Sequence, residues 1–309
     1  MPFSSSPMPH SLLHHSSVTF LLVFLALIYT RGWLHARRSI PNAVSTWRAS
    51  AFFAGLLCVW IAVCSPLGTL DHQWLSVHMV QHLLLMTVTP PLILLGAFPP
   101  TFLYGIPHNF TRKILGPVLR ASTVQSLARG ITNPFFCWLV AMAVLIGWHI
   151  PAVYTLARNS STWHHLEHAS FFLGGMFFWW PVIEPWLSVS RSSRWYIVLY
   201  LFLATLPCDA LSAYLAFCDK IVYRCYLSVP HFNMSALQDQ QCAGALMWVF
   251  VTFAYLVPAV LLTANLLGSS CTENQHLITR TLALSSQEPV PRNTRSKWSD
   301  SAVLGRRAD

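Results

Sequence analysis

Charge is scarce in this chain. Asp, Glu, Lys and Arg together make up 9% of its 309 residues, where a soluble domain carries about a quarter. So few charged groups cannot cover a water-soluble fold of this size, and a soluble class is excluded. No C-x-x-C pair and no zinc-finger spacing occurs among the eight cysteines, which argues against a thioredoxin-like redox motif and a structural zinc site. A phosphate-binding glycine loop is missing, and no Ser or Cys nucleophile stands out beside a spaced base, so an enzyme is not expected. Nor is there an internal repeat, which removes support for the inverted-repeat plan of many transporters.

What the chain has is apolar length: 54% of its residues are hydrophobic and 13% aromatic. Stretches of about 20 apolar residues, enough to cross a bilayer as a helix, fall near 15–34, 49–66, 75–98, 134–150, 166–187, 195–217 and 240–265. The expected fold is all-α, a polytopic membrane bundle of seven transmembrane helices over 15–267. It is flanked by a polar, histidine-containing segment, 1–14, and a disordered cytoplasmic tail, 268–309. No basic residue precedes the first stretch, which argues against a cleaved signal peptide. A net charge of +9 would suggest nucleic acid in a soluble protein, but here the basic residues lie between the apolar runs. Sixteen of the 19 fall on one side of the bundle and three on the other. By the positive-inside rule the amino terminus faces out and the carboxyl terminus faces the cytoplasm; an even number of spans would destroy that agreement. Membrane lipid, not nucleic acid, is the expected surrounding.

This orientation places the histidines in depth. His78 and His82 in the third span are four apart, on one helix face and about 6 Å apart along the axis. The fourth span ends outward at Trp148-His149-Ile150-Pro151, and the fifth begins outward at His164-His165-Leu166-Glu167-His168. His78, His82, His149, His164 and His168 therefore reach similar depth, with Glu167 beside them and Met86 one turn below His82. A lone intramembrane histidine is ordinarily a hydrogen-bond partner between helices; five that converge from three spans suit a bound metal or haem. Imidazole suits zinc, copper, iron and nickel, and thioethers favour Cu(I). Met79, Met86 and Met247 are possible soft ligands, though methionine in an apolar helix ordinarily only packs. A site that opens outward favours copper.

Asp239 heads the seventh span and either orients a ligand histidine or serves as an acid at its own helix N-terminus. Gly244, a turn further on, permits close helix approach. Pro90-Pro91 and Trp179-Trp180-Pro181 fall at similar inner-half depth and are expected to kink their helices together. His10, His14 and His15 belong to a solvated amino-terminal segment with at most weak metal capture. Cys64, Cys218, Cys225 and Cys242 lie near the outer side, where a disulfide is chemically allowed and its pairing open.

These residues resemble a known family, the CtaG-like assembly factors of caa-type cytochrome c oxidase, multi-span proteins of bacterial cytoplasmic membranes. The likeness is carried by His78-Met79-Val80-Gln81-His82 with Pro90-Pro91 and Gly96, then Trp148-His149-Ile150-Pro151 with Tyr154. It continues through Glu167-His168, Phe177-Phe178-Trp179-Trp180-Pro181 and Asp239-Gln240-Gln241 with Gly244, Met247 and Trp248. It covers roughly 45–265 and implies a role in producing active oxidase, with oxidase subunits as partners and copper as cargo. Carried over, His78, His82, His149 and His168 with Glu167 are the metal-handling residues, Asp239 supports them, and His164 and His165 match less firmly. Two other readings remain open. Facing membrane histidines also serve as axial ligands of b-type haem in electron carriers, although i, i+4 pairs on one helix suit a compact ion better. A copper transporter would need polar residues on the inner half, where Glu184 is the main candidate.

Overall fold

A computed structural model describes residues 9–39, 45–65, 67–97, 104–106, 110–183, 195–227 and 234–285, the side chains of 9–15, 69, 114 and 269–285 excepted. Every regular element among them is helical. The main helices are α1 (Pro9–Ser39), α2 (Thr46–Cys64), α3 (Leu75–Gly96), α4 (Ser122–Ile131), α5 (Pro134–His149), α6 (Pro151–Asn159), α7 (Ser161–Ile183), α8 (Trp195–Phe217) and α9 (Ala236–Ser285). The chain divides into two compact units, 1–263 and 264–309.

Among the described residues five helices are long and apolar enough to cross a membrane: α1 over Ser16–Ser39, α2, α3, α8, and α9 over Ala236–Gly268. A sixth is added if α4 and α5, bent by 56° at their junction, count as one span. Phe20, Leu27, Leu199, Phe202, Phe253 and Leu261 are exposed on these helices, an apolar surface suited to lipid and not to water. The chain is a membrane protein.

The seven expected stretches map onto helices, but not onto seven equally apolar ones. Helix α5 has 16 residues, a rise of about 24 Å against a hydrocarbon core of about 30 Å. Ile150 ends it in extended conformation because Pro151 disfavours an α conformation in the residue before it. Helix α7 is long enough at 23 residues, but His164, His165, Glu167 and His168 in its first turns make it less apolar than a lipid-facing span. Helix α9 runs on to Ser285, past residue 268, where the sequence reading starts the tail. No proline stands between Pro258 and Pro289 to stop it, and 286–309 lie outside the described residues.

Helix α3 is the centre of the packing. Leu75, Met79, Leu83, Leu85, Met86 and Leu94 are all buried, and Gln81, fully buried, donates from Nε2 to the Ala62 carbonyl of α2 at 2.9 Å. Midway, Leu84–Val88 winds as a π turn in which the Thr89 N–H donates to the Leu84 carbonyl. Pro90 and Pro91 carry no N–H, so the Met86 carbonyl loses both its α-type and its π-type donor. Trp179 of α7 supplies a replacement, donating from Nε1 at 3.1 Å. One turn above Trp179, Gly175 lets the two backbones meet: a Cβ there would lie 2.6 Å from the Met86 carbonyl oxygen and 2.7 Å from Pro90 Cγ. The two Pro-bearing motifs thus dock on each other, as their common depth in the sequence suggests. Gly244 plays the same part between α9 and α8, where a Cβ would meet Ala216 N at 2.6 Å.

Candidate metal centre

The helix that carries His78 and His82 begins abruptly. Trp74, its N-cap residue, is extended and makes no side-chain cap, so the first N–H groups of α3 need another acceptor. Asp239 of α9 provides it. Its carboxylate accepts from Leu75 N at 2.6 Å, Ser76 N at 3.2 Å and the Ser76 hydroxyl at 2.6 Å. Asp239 also stands in the first turn of α9, so its own-helix role is kept. Among the described residues its hydrogen bonds go to α3 and not to a histidine. It positions the helix rather than a ring.

Docked at its N-terminus by Asp239 and at its middle by Gly175 and Trp179, α3 meets α7 with like-numbered turns opposite each other. His82 stacks on Phe171 at a centroid distance of 4.0 Å, and Met86 lies against Gly175 one turn below. His168, seven residues before Gly175, falls on the same face of α7. The rings of His78 and His82 are 4.2 Å apart, and His168 lies 5.7 Å from His82 and 6.1 Å from His78. His164 reaches within 4.3 Å of His168 and 5.6 Å of His78. His149 closes the far side of His82 at 6.5 Å, carried there by α5, whose Trp148 Nε1 donates to Ser170 Oγ of α7 at 2.7 Å.

Two carboxylates enter this group. Glu167, fully buried, has Oε1 3.5 Å from Nε2 of both His78 and His82. Asp71, from the turn before α3, has Oδ2 3.3 Å from His164 Nε2 and 4.0 Å from His78 Nδ1. Donor atoms of His78, His82 and His168 lie within 4.8 Å of one another, and so do those of Asp71, His78 and His164. These separations are too long for direct N–H···O bonds, which run to about 3.2 Å. The 3.3 Å and 3.5 Å separations, though not the 4.0 Å one, come close to the edge of a coordination tetrahedron, about 3.3–3.4 Å for metal–nitrogen bonds of about 2.0–2.1 Å. Asp71 Oδ1 and Oδ2, Glu167 Oε1 and Oε2, His78 Nε2, His82 Nδ1 and Nε2 and His149 Nε2 are buried with no hydrogen-bond partner among the described residues. Unpartnered polar atoms at this density are costly, and a shared cation would satisfy them together.

His149 keeps one ring nitrogen without a hydrogen-bond partner among the described residues. Its Nδ1 lies 2.7 Å from the Leu145 carbonyl, which can only accept, so the ring proton sits on Nδ1 and the Nε2 lone pair is left over. His149 stands beside the two close triads and belongs to neither. Met86 and Met247, with Met79 and Cys208, line an apolar cavity that also touches His82 and His149, directly beneath the centre.

A tyrosine cover that the sequence reading did not foresee closes the top. The Tyr223 hydroxyl donates to the His149 carbonyl at 3.1 Å, Tyr226 donates to the Asp71 carbonyl at 3.0 Å, and the Tyr154 and Tyr226 hydroxyls meet at 2.8 Å. Burial pushes the Tyr226 phenol above the ordinary tyrosine range, which keeps it a donor. Arg158 lies over the Tyr226 ring at 5.3 Å and donates to the His72 carbonyl. Gln240 holds the covering segment, accepting from Val222 N at 2.7 Å and donating to the Lys220 carbonyl at 3.1 Å.

The chief residue missed in sequence is Asp71. In a chain with only ten acidic residues, an Asp-His pair seven and six residues before His78 was the available signal. The described cysteines form no disulfide. The side chains of His10, His14 and His15, together with Glu184, lie outside the described residues.

Residues 27–269 match the cytochrome c oxidase caa3 assembly factor (Caa3_CtaG) family. The chain belongs to that family. The match spans the whole helical region that builds the centre, His78 through Asp239 included. No curated protein and no solved structure matches the chain. As a Caa3_CtaG protein it serves cytochrome c oxidase assembly, and among the residues by which its sequence resembles the family, His78, His82, His149, Glu167 and His168 are brought together by α3, α5 and α7.

Proposed function

We propose that this Caa3_CtaG protein is a non-enzymatic factor that binds copper in the α3–α7 histidine centre and aids its delivery to the oxidase. The carrying observation is the spacing of Glu167 Oε1 at 3.5 Å from both His78 Nε2 and His82 Nε2, inside a buried cluster with unpartnered donors. His78, His82, His168 and Glu167 hold the ion. His149 lends a further nitrogen, and Met86 and Met247 offer thioethers from the cavity below. Nitrogen and carboxylate donors fit copper, which here is cargo; ligand exchange at the covered outer end releases it.

In this reading the protein sits in a bacterial cytoplasmic membrane with seven crossings, its amino terminus outside and its carboxyl terminus in the cytoplasm. Helix α7 is the crossing that hydropathy understates, since its Glu167 and His168 are buried among helices rather than turned to lipid. The distribution of Lys and Arg supports the odd count. Detergent-purified protein is expected to carry copper by elemental analysis, and His78→Ala with His82→Ala to lose it. Cells without the protein should make copper-poor oxidase; normal oxidase copper in those cells would overturn the delivery role.

A further inference from the structure

The two carboxylates of the centre lie at opposite edges of one ring. His78 presents Nδ1 toward Asp71 Oδ2 at 4.0 Å and Nε2 toward Glu167 Oε1 at 3.5 Å. Each carboxylate has a further imidazole of its own: Asp71 lies 3.3 Å from His164 Nε2, and Glu167 3.5 Å from His82 Nε2. The donors therefore form two groups that share a single member. Among the imidazoles, exposure is higher on the Asp71 side than at the shared and inner rings. The His72 side chain, 3.9 Å from Asp71 Oδ1, is 52% exposed, His164 is 17%, His78 4% and His82 6%.

We propose that the centre holds two copper positions in series. The outer position is made by Asp71, His164 and Nδ1 of His78; the inner is made by Glu167, His82, His168 and Nε2 of His78. An ion is received at the outer position and passed to the inner. This rests on the reading that the centre handles copper at all. His72 stands at the mouth, and Asp71 supplies the one carboxylate near the outer surface of the cluster.

His78 sets the order. A neutral imidazole has one lone pair, so the ring serves one position at a time, and the edge not in use carries the N–H. Whichever edge that is, a carboxylate faces it: Glu167 Oε1 3.5 Å from Nε2 when the outer position is loaded, Asp71 Oδ2 4.0 Å from Nδ1 when the inner one is. Closing either gap to hydrogen-bond distance holds the ring in the matching tautomer. Passing the ion inward moves the ring proton from Nε2 to Nδ1, with water as the carrier that takes it from the one edge and returns it at the other. No net proton is gained, and no electron moves. The donor set grows from one oxygen and two nitrogens to one oxygen and three nitrogens, and the added imidazole binds copper more firmly.

The test uses full-length protein in detergent with His10, His14 and His15 replaced by alanine, so that terminal histidines do not count, loaded with Cu2+ and desalted before elemental analysis. His82→Ala with His168→Ala removes two inner ligands and is expected to retain copper at the outer position; adding Asp71→Asn should then remove it. If the parent protein binds copper and the inner double variant binds none, there is a single position and this inference fails while the copper reading stands. If the parent binds none, both fail. Should the inner double variant not fold, Asp71→Asn with His164→Ala decides the matter. Its final copper content should equal that of the parent, but loading should be slower by about 10-fold or more, the usual scale for supporting ligands. Loading at the parental rate overturns the proposal.

Discussion

Gly175→Ala is expected to cripple the protein, whereas Gly174→Ala, its immediate neighbour, should be close to silent. A methyl at 175 would sit 2.6 Å from the Met86 carbonyl oxygen and 2.9 Å from Met86 Cα, atoms of a backbone that cannot rotate away. A methyl at 174 meets only Val144 side-chain carbons at 3.5–3.6 Å, ordinary van der Waals contact. Overpacking of a rigid core costs about 1–3 kcal/mol and sometimes more. Gly175→Ala belongs at the top of that range, because relief requires α7 to move off α3. That movement also breaks the Trp179 bond to Met86 and leaves a helix carbonyl with no donor. Since His168 is on the face that docks, the change should lower copper content as well as stability. Heating detergent-solubilised protein and following the monodisperse fraction measures the first; elemental analysis measures the second. Equal behaviour of the two alanine variants would show that the glycine contact does not set the α3–α7 register.

Asp239→Ala is the second large effect. The carboxylate is fully buried and receives three hydrogen bonds, two of them from N–H groups at the start of α3. Truncation strands both N–H groups and removes a negative charge from a helix N-terminus; a loss of about 3 kcal/mol is expected from bonds to a charged acceptor. Because the α3 terminus lies less than one turn before His78, its fraying should weaken copper binding by about 10–100-fold, the scale found for residues that orient ligands. Asp239→Asn, which keeps one acceptor oxygen, should fall between. A variant that unfolds early yet binds copper with unchanged affinity would separate the helix cap from the metal centre and refute the link drawn between them.

How much of this was legible in the sequence depends on the kind of signal. The i, i+4 pair His78 and His82 was readable because helical geometry alone puts both on one face. The long apolar runs made the all-helical membrane plan readable, although α5 is shorter and α7 more polar than the lipid-facing spans. Asp239 reads in sequence as an acid at its own helix N-terminus or an orienting carboxylate, and its bonds to α3 are not legible there, since a carboxylate on α9 can find the N-terminus of α3 only after the helices have packed. Asp71 went unnoticed for the opposite reason: it lies in a turn with no periodicity, and only the fold carries it to His164. The tyrosine cover had no motif at all.

The amino-acid order by itself determined that this chain lives in a bilayer, is helical throughout its membrane region and carries histidines and a glutamate too costly to place there without a purpose. Those properties are sums over residues or depend on neighbours three and four apart, so no folding is needed to know them. Tertiary structure alone decided which edge of each ring faces which carboxylate and which donors fall 3.3–3.5 Å apart. Such distances depend on how α3 docks at Met86 on Gly175, 89 residues later in the chain, and no local pattern records that contact.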